Sequence, residues 1–117
     1  RMNFANRHVL IVEDEPIIAF GLEDLLVGEG ANVSLATALG EAEDMLDEID
    51  PDWAILDVNL RGSKSYSLAA SLVEKGVGFI FATGYGDAEH PPEFRAVPTI
   101  TKPYSLDHIR QALSQLP

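Results

Sequence analysis

The sequence predicts an α/β fold: a (βα)5 chain doubly wound around a five-stranded parallel sheet, strand order 2-1-3-4-5, with a short or irregular fourth helix. Three observations predict the doubly wound parallel sheet. Apolar runs of strand length alternate with amphipathic segments of helix length, and no repeat or low-complexity tract interrupts them. The strand runs are continuously aliphatic rather than alternating, as expected of strands covered by helices on both faces. Polar residues with chemical capacity stand just past four of these runs, where an open parallel sheet gathers its strand C-termini on one edge.

His8-Val9-Leu10-Ile11-Val12 is the first strand and reads as central. From Pro16 to Val27, Ile17, Ile18, Leu22, Leu25 and Leu26 mark a helical stripe, with Pro16 suited to a first turn and Gly28 and Gly30 to the exit. Asn32 to Ala36 forms the second strand. Leu39 to Ile49 forms the second helix, with Ala42, Met45, Leu46 and Ile49 on one face, ending before Pro51. Trp53 to Leu56 is the third strand and runs directly into Asp57. After the loop Val58 to Gly62, a third helix from Ser65 to Lys75 carries Leu68, Ala69, Leu72 and Val73 inward. Val77 to Ala82 is the fourth strand and Val97 to Thr101 the fifth. Ser105 caps a last helix bearing Leu106, Ile109, Leu113 and Leu116. Between the fourth and fifth strands, Gly84, Gly86, Pro91 and Pro92 all oppose a regular helix.

A chain of 117 residues with 46% hydrophobic content suits one globular domain over 1–117, with residues 1–6 a flexible N-terminus. The absence of cysteine excludes a disulfide framework, a thiolate metal site and a cysteine nucleophile. No apolar stretch approaches the roughly 20 residues that span a bilayer, and the first residues lack the apolar core of a signal peptide; a cytoplasmic location is expected. A formal net charge of −11 argues against nucleic acid or an anionic membrane as partner, because phosphate binding needs clustered Lys and Arg. A protein partner is expected.

The chemistry gathers at the strand ends. Asp14 can ligate a cation directly, and Glu13 directly or through water, since hard divalent cations prefer oxygen; Mg²⁺ is the natural candidate. Glu15 suits the helix N-terminus. Asp57, ending an apolar run, has little local reason to be a carboxylate. Three carboxylates brought together repel one another unless a cation is bound, and with Mg²⁺ the set becomes a phosphoryl-transfer site. Asp57 is then the oxygen nucleophile and phosphoacceptor, Lys102 offers its ammonium first to Asp57 and then to a phosphoryl oxygen, and Thr83 donates a hydroxyl to another. His8, His90 and His108 lack the spacing of a metal site or phosphodonor and read as surface or satisfied-core residues; Trp53 reads as packing.

Val12-Glu13-Asp14-Glu15-Pro16, Leu56-Asp57-Val58-Asn59-Leu60, Ala82-Thr83-Gly84 and Thr101-Lys102-Pro103-Tyr104 resemble, in order and spacing, the four motifs of response-regulator receiver domains (CheY-like), over essentially the full chain. The resemblance implies two-component signalling: Asp57 takes a phosphoryl group from the phosphohistidine of a histidine kinase or phosphotransfer protein. It implies Mg²⁺ held by Glu13, Asp14, Asp57 and the backbone carbonyl of Asn59, and a cis Lys102-Pro103 bond. The only reactions implied are self-catalysed phosphoryl transfer and dephosphorylation, so the domain is a phosphoacceptor rather than an enzyme acting on an outside substrate. Thr99 stands where many receivers carry an aromatic switch residue. Phe81-Ala82-Thr83-Gly84-Tyr85 instead resembles the "FAT GUY" receivers of alphaproteobacteria, which occur alone or attached to HWE-type histidine kinases. Activation would then proceed by ordering of Gly84 to Ala96, with Tyr85 a candidate moving part. Asn59 and Tyr85 would tune phosphoryl lifetime. The face near Gly84 to Thr101 is the expected contact surface for a downstream partner in a monomer or weak dimer.

Other classes fit less well. A Mg²⁺-dependent phosphatase using an aspartyl phosphate would place Asp where this chain has Asn59. A flavodoxin-like cofactor binder would need a Gly- and Ser-rich loop where Glu13-Asp14-Glu15 would repel phosphate. A phosphorylation-independent interaction module of receiver shape stays open, and it predicts no response to Mg²⁺ or a phosphoryl analogue.

Overall fold

The computed structural model describes residues 2–84 and 89–117. Strands β1 (His8–Val12), β2 (Asn32–Ala36), β3 (Trp53–Asp57), β6 (Gly78–Thr83) and β7 (Thr99–Thr101) form one parallel sheet in the order β2-β1-β3-β6-β7. That is the expected 2-1-3-4-5 order once the small hairpin of β4 (Asn59–Leu60) and β5 (Ser63–Lys64) is set aside. Helices α1 (Pro16–Gly28), α2 (Leu39–Leu46), α3 (Tyr66–Lys75) and α4 (Leu106–Ser114) cover the two faces. Where a fourth crossover helix would lie, the described residues form a single 3-10 turn, Pro92–Phe94, as the prolines and glycines require.

The unalternating strands are explained by two cores. Leu10, Val12, Leu56, Phe79 and Phe81 pack beneath α2, α3 and Phe94 on one face. Val9, Ile11, Ile55, Ile80 and Ala82 pack beneath α1 and α4 on the other. With both faces dry, each strand residue of β1 beyond His8 is buried. Register then brings the strand ends level: Val12 pairs with Ala36 and Leu56, Asp57 with Ala82, and Thr83 with Thr101.

Several expectations are corrected. On α1 the buried residues are Ala19, Leu22 and Leu26, whereas Ile17 and Leu25, assigned to the inner stripe, are 88% and 44% exposed. This helix is apolar on nearly every side, so periodicity selects its inner face poorly. Val73 of α3 is likewise exposed. Helix α2 closes at Leu46 rather than Ile49, its end tightened by the Asp47 N–H donating to the Asp44 carbonyl at 3.2 Å. Strand β7 starts at Thr99 rather than Val97, because Pro98 has no N–H to pair. Nor are residues 2–6 loose: Phe4 is buried edge-on to Trp53 at 5.7 Å, and the Asn6 N–H donates to the Gly30 carbonyl at 2.9 Å. Gly30, at φ +90, leaves room there that a Cβ would take from the Ala5 backbone at 3.2 Å. Arg1 lies outside the described residues.

Candidate functional site

At the active edge a polar residue ends the strand, as Asp57 and Thr83 do, or follows it, as Glu13 and Lys102 do. The ladder continues one rung past β1, β3 and β7. The Glu13 N–H donates to the Ala36 carbonyl at 3.0 Å, the Val58 N–H to Ala82 at 2.9 Å and the Lys102 N–H to Thr83 at 2.8 Å. Side chains at these positions are therefore held by sheet geometry rather than by loop packing. Glu13, Asp57 and Thr83 are buried, unusual for polar groups and the mark of a built site.

The structure brings Glu13, Asp14 and Asp57 together, each offering a carboxylate oxygen within 4.8 Å of the others. Every one of the three accepts a backbone N–H: Glu13 Oε2 from Glu15 at 3.1 Å, Asp57 Oδ1 from Asn59 at 3.3 Å, and Asp14 Oδ2 from Arg61 at 2.9 Å. Lys102 points its ammonium into the same space. It donates to Asp57 Oδ2 at 3.0 Å and lies 2.6 Å from Glu13 Oε1, an ion pair whose direction falls outside hydrogen-bond geometry. Glu15 Oε1, more exposed, is 3.7 Å from the same nitrogen. The Lys102-Pro103 peptide is cis.

The electrostatics follow from crowding acids in a dry place. Burial pushes Glu13 up to about 7, Asp57 adding to the rise while Lys102 and the Glu15 N–H pull the other way. Burial by itself would lower the Lys102 ammonium, but Glu13 and Asp57 overcome it and hold that group above the ordinary lysine range. Tyr104 is pushed up to about 12, chiefly by burial and then by the Glu13 charge. A single ammonium thus faces two buried carboxylates, with Asp14 beside them: a site short of positive charge and rich in hard oxygen donors.

Of the other residues singled out in the sequence, Asn59 opens β4 with its N–H on Asp57. Thr99 is not among the acids; its Oγ1 is 2.7 Å from His90 Nε2, and His90 Nδ1 is 2.8 Å from the Tyr66 hydroxyl. Tyr85 lies outside the described residues. Sequence reasoning missed two participants, Arg61 and Tyr104. Arg61 acts through its main chain, and an Arg-Gly pair is a weaker turn signal than Asn-Gly. His90, read as surface or satisfied, is a satisfied bridge between α3 and β7, and its ring rests on Phe81 with centroids 4.4 Å apart. Tyr104, beside the lysine motif, carried no local sign of its burial.

The sequence profile of the response regulator receiver domain matches residues 9–114. The aerobic respiration control protein ArcA of Escherichia coli (strain K12) is 36% identical over 102 residues, which cover 84% of this chain and 43% of ArcA. The chain spans less than half the length of that relative. Among solved structures, SdrG from Sphingomonas melonis Fr1 is 39% identical with a TM-score of 0.81, covering 97% of this chain and 98% of that one. The BeF3-activated conformation of SdrG, from Pseudomonas melonis Fr1, matches at 40% identity and TM-score 0.78, covering 95% and 96%. The receiver of the PhyR response regulator from Erythrobacter litoralis is 28% identical with TM-score 0.76, covering 95% and 89%. Likeness to SdrG and PhyR is consistent with the "FAT GUY" character of Phe81 to Tyr85. Because the profile runs from the first strand to the last helix and the active edge lies inside it, the chain belongs to the response regulator receiver domain family.

Proposed function

We propose that this receiver accepts a phosphoryl group on Asp57 from a phosphohistidine of a partner histidine kinase or phosphotransfer protein, and answers with altered protein contacts. The observation that carries the reading is Asp57 itself: a buried strand-end carboxylate, 3.0 Å from the Lys102 ammonium and clustered with Glu13 and Asp14. A donor set made only of carboxylate oxygens fits a hard divalent cation and gives soft metals no thiolate or imidazole. Glu13, Asp14 and Asp57 would hold Mg²⁺, with the backbone carbonyl of Asn59 as a further donor. When bound, the cation offsets the repulsion among the acids and the charge of the incoming phosphoryl group.

The chain's own residues do the rest. An Asp57 oxygen attacks phosphorus, the P–O bond forming as the P–N bond of the donor breaks and the histidine leaves with the electron pair of that bond. Lys102 faces the Asp57 carboxylate at 3.0 Å and then follows the new charge to a phosphoryl oxygen. Thr83 donates its hydroxyl to another, while Asn59 and Tyr85 tune the lifetime of the product. The donor must approach the strand-end edge. An apolar groove of about 560 Å³ between α1 and the Lys102-Pro103-Tyr104 turn, lined by Ile17, Ile18 and Leu25, borders that approach and suits a protein partner. Among the described residues, no helix is long and apolar enough to cross a membrane.

Incubation with acetyl phosphate and Mg²⁺, followed by intact mass measurement, tests this. The wild-type protein is expected to gain one phosphoryl group, and Asp57→Asn or EDTA-treated protein none. An equal gain in Asp57→Asn would reject Asp57 as the acceptor.

A further inference from the structure

The three carboxylates of the cluster are not held in the same way. Glu13 and Asp57 each accept an N–H from the residue two places further along, so local chain geometry orients them. Asp14 is half-exposed and lies beside two like-charged neighbours. Among the described residues, the amide that holds it comes from Arg61, 47 positions on. That amide arrives because the chain reverses there: Asn59 pairs with Lys64 and Leu60 with Ser63, leaving Arg61 and Gly62 as a two-residue turn. Both have positive φ, 51° and 84°, the signature of a type I′ turn.

Gly62 meets that demand without cost, but Arg61 does not. Gly, Asn and Asp are the ordinary occupants of its position, and a longer side chain in the left-handed region is strained. Strain of this kind persists where surrounding structure over-determines it, and it concentrates at functional sites. Here two contacts do so. The main chain donates to Asp14, and the guanidinium reaches sideways to Thr37 Oγ1 at 3.5 Å, with the Thr37 N–H in turn donating to Glu41 Oε1 at 2.6 Å. The side chain therefore anchors the turn to the junction of β2 and α2, and its charge bonds there instead of to the acids.

We propose that the Arg61-Gly62 turn is a positioning device for the cation site: the Arg61 N–H presets Asp14 toward Glu13 and Asp57 before a divalent cation arrives. The proposal rests on reading the acidic cluster as a Mg²⁺ site. One oxygen of Asp14 is occupied by the amide, and the remaining acceptor capacity of the carboxylate stays available to the metal. A ligand already oriented against the repulsion of two neighbours loses less on binding than one that must first be gathered in.

Mg²⁺ titration followed by amide NMR, on the full chain, tests the device without any phosphoryl donor. The chain is compared with one whose residue-61 amide is replaced by an ester, which deletes the donor alone, and with Gly62→Val, which disfavours the positive φ. Both should bind Mg²⁺ about tenfold more weakly, the scale of one hydrogen bond to a charged group. Arg61→Gly keeps the N–H and the turn, and should bind within about twofold of wild type. Wild-type affinity in the ester chain, or in a folded Gly62→Val if the ester chain does not fold, would overturn the proposal. So would an equal loss in Arg61→Gly, which would assign the effect to the side chain. Absence of Mg²⁺ binding in the wild-type protein would instead overturn the reading of the cluster as a metal site.

Discussion

Lys102 carries more of the site than any other side chain, because it is the ammonium that faces both buried carboxylates. Removing one partner from a buried ionic group leaves uncompensated charge, so Lys102→Met should destabilise the metal-free protein by about 3 kcal/mol. Saturating Mg²⁺ should restore a substantial part of that loss by taking over the role of counter-charge, stabilising by about 2.7 kcal/mol at a hundredfold excess over Kd. Urea unfolding of Lys102→Met with and without Mg²⁺ measures both, and a variant that gains no stability on adding Mg²⁺ would contradict the shared role. These residues were legible in the sequence because each ends or follows an apolar run, where a charge is conspicuous. Arg61 was not legible, since its contribution is a main-chain N–H that residue identity does not encode. His90 was not either: its two hydrogen-bond partners come from α3 and β7, and no local pattern joins them.

Among the elements, α1 and the residues around His90 behave differently from what composition suggests. Leu22 is buried and Ile17 is 88% exposed on the same apolar helix. Leu22→Ala should cost about 2 to 4 kcal/mol, whereas Ile17→Ala should stay within about 0.5 kcal/mol in the isolated domain. Comparable losses in chemical denaturation would show that the assigned face is wrong. The ring of His90 ties Tyr66 of α3 to Thr99 of β7. Burial holds its imidazole below the usual value of 6.5. The folded state then binds that proton less readily than the unfolded chain, so the stability this residue contributes is complete above about 6.5 and is lost as pH falls through the folded value. Relative to His90→Phe, which keeps a ring but cannot titrate, wild-type stability should decline on acidification below that point. A constant difference between the two would contradict the bridge. Element boundaries were readable where Pro, Gly or a capping Ser marks them, as at Pro16 and Ser105, whose side chain accepts the His108 N–H at 3.2 Å. The β4-β5 hairpin was not, because two-residue strands have too few side chains to show a period.

At the scale of the whole molecule, function follows from topology. Parallel strands covered on both faces must be aliphatic throughout, and that necessity made the sheet readable from the sequence, while its full strand order followed from the receiver resemblance. The same topology delivers acids from β1 and β3, a hydroxyl from β6 and an amine after β7 to one edge, although they lie far apart in the chain. Which face meets a partner was harder to read. The sequence suggested the region from Gly84 to Thr101, and the structure adds a second candidate, since the large apolar side chains left exposed among the described residues are Ile17, Phe20, Leu25 and Val27 on α1 and Val73 on α3. Burial is a tertiary property, and an evenly apolar helix does not announce its outer side. Whether phosphoryl chemistry at Asp57 switches this domain is decided by amide NMR with Mg²⁺ before and after beryllofluoride, in wild type and Asp57→Asn. Signals around Asp57, Thr83 and the segment following Gly84 should shift or appear in the wild-type protein and stay unchanged in the variant. A wild-type spectrum indifferent to both additions would contradict switching at Asp57 and favour a receiver-shaped module that works without phosphorylation.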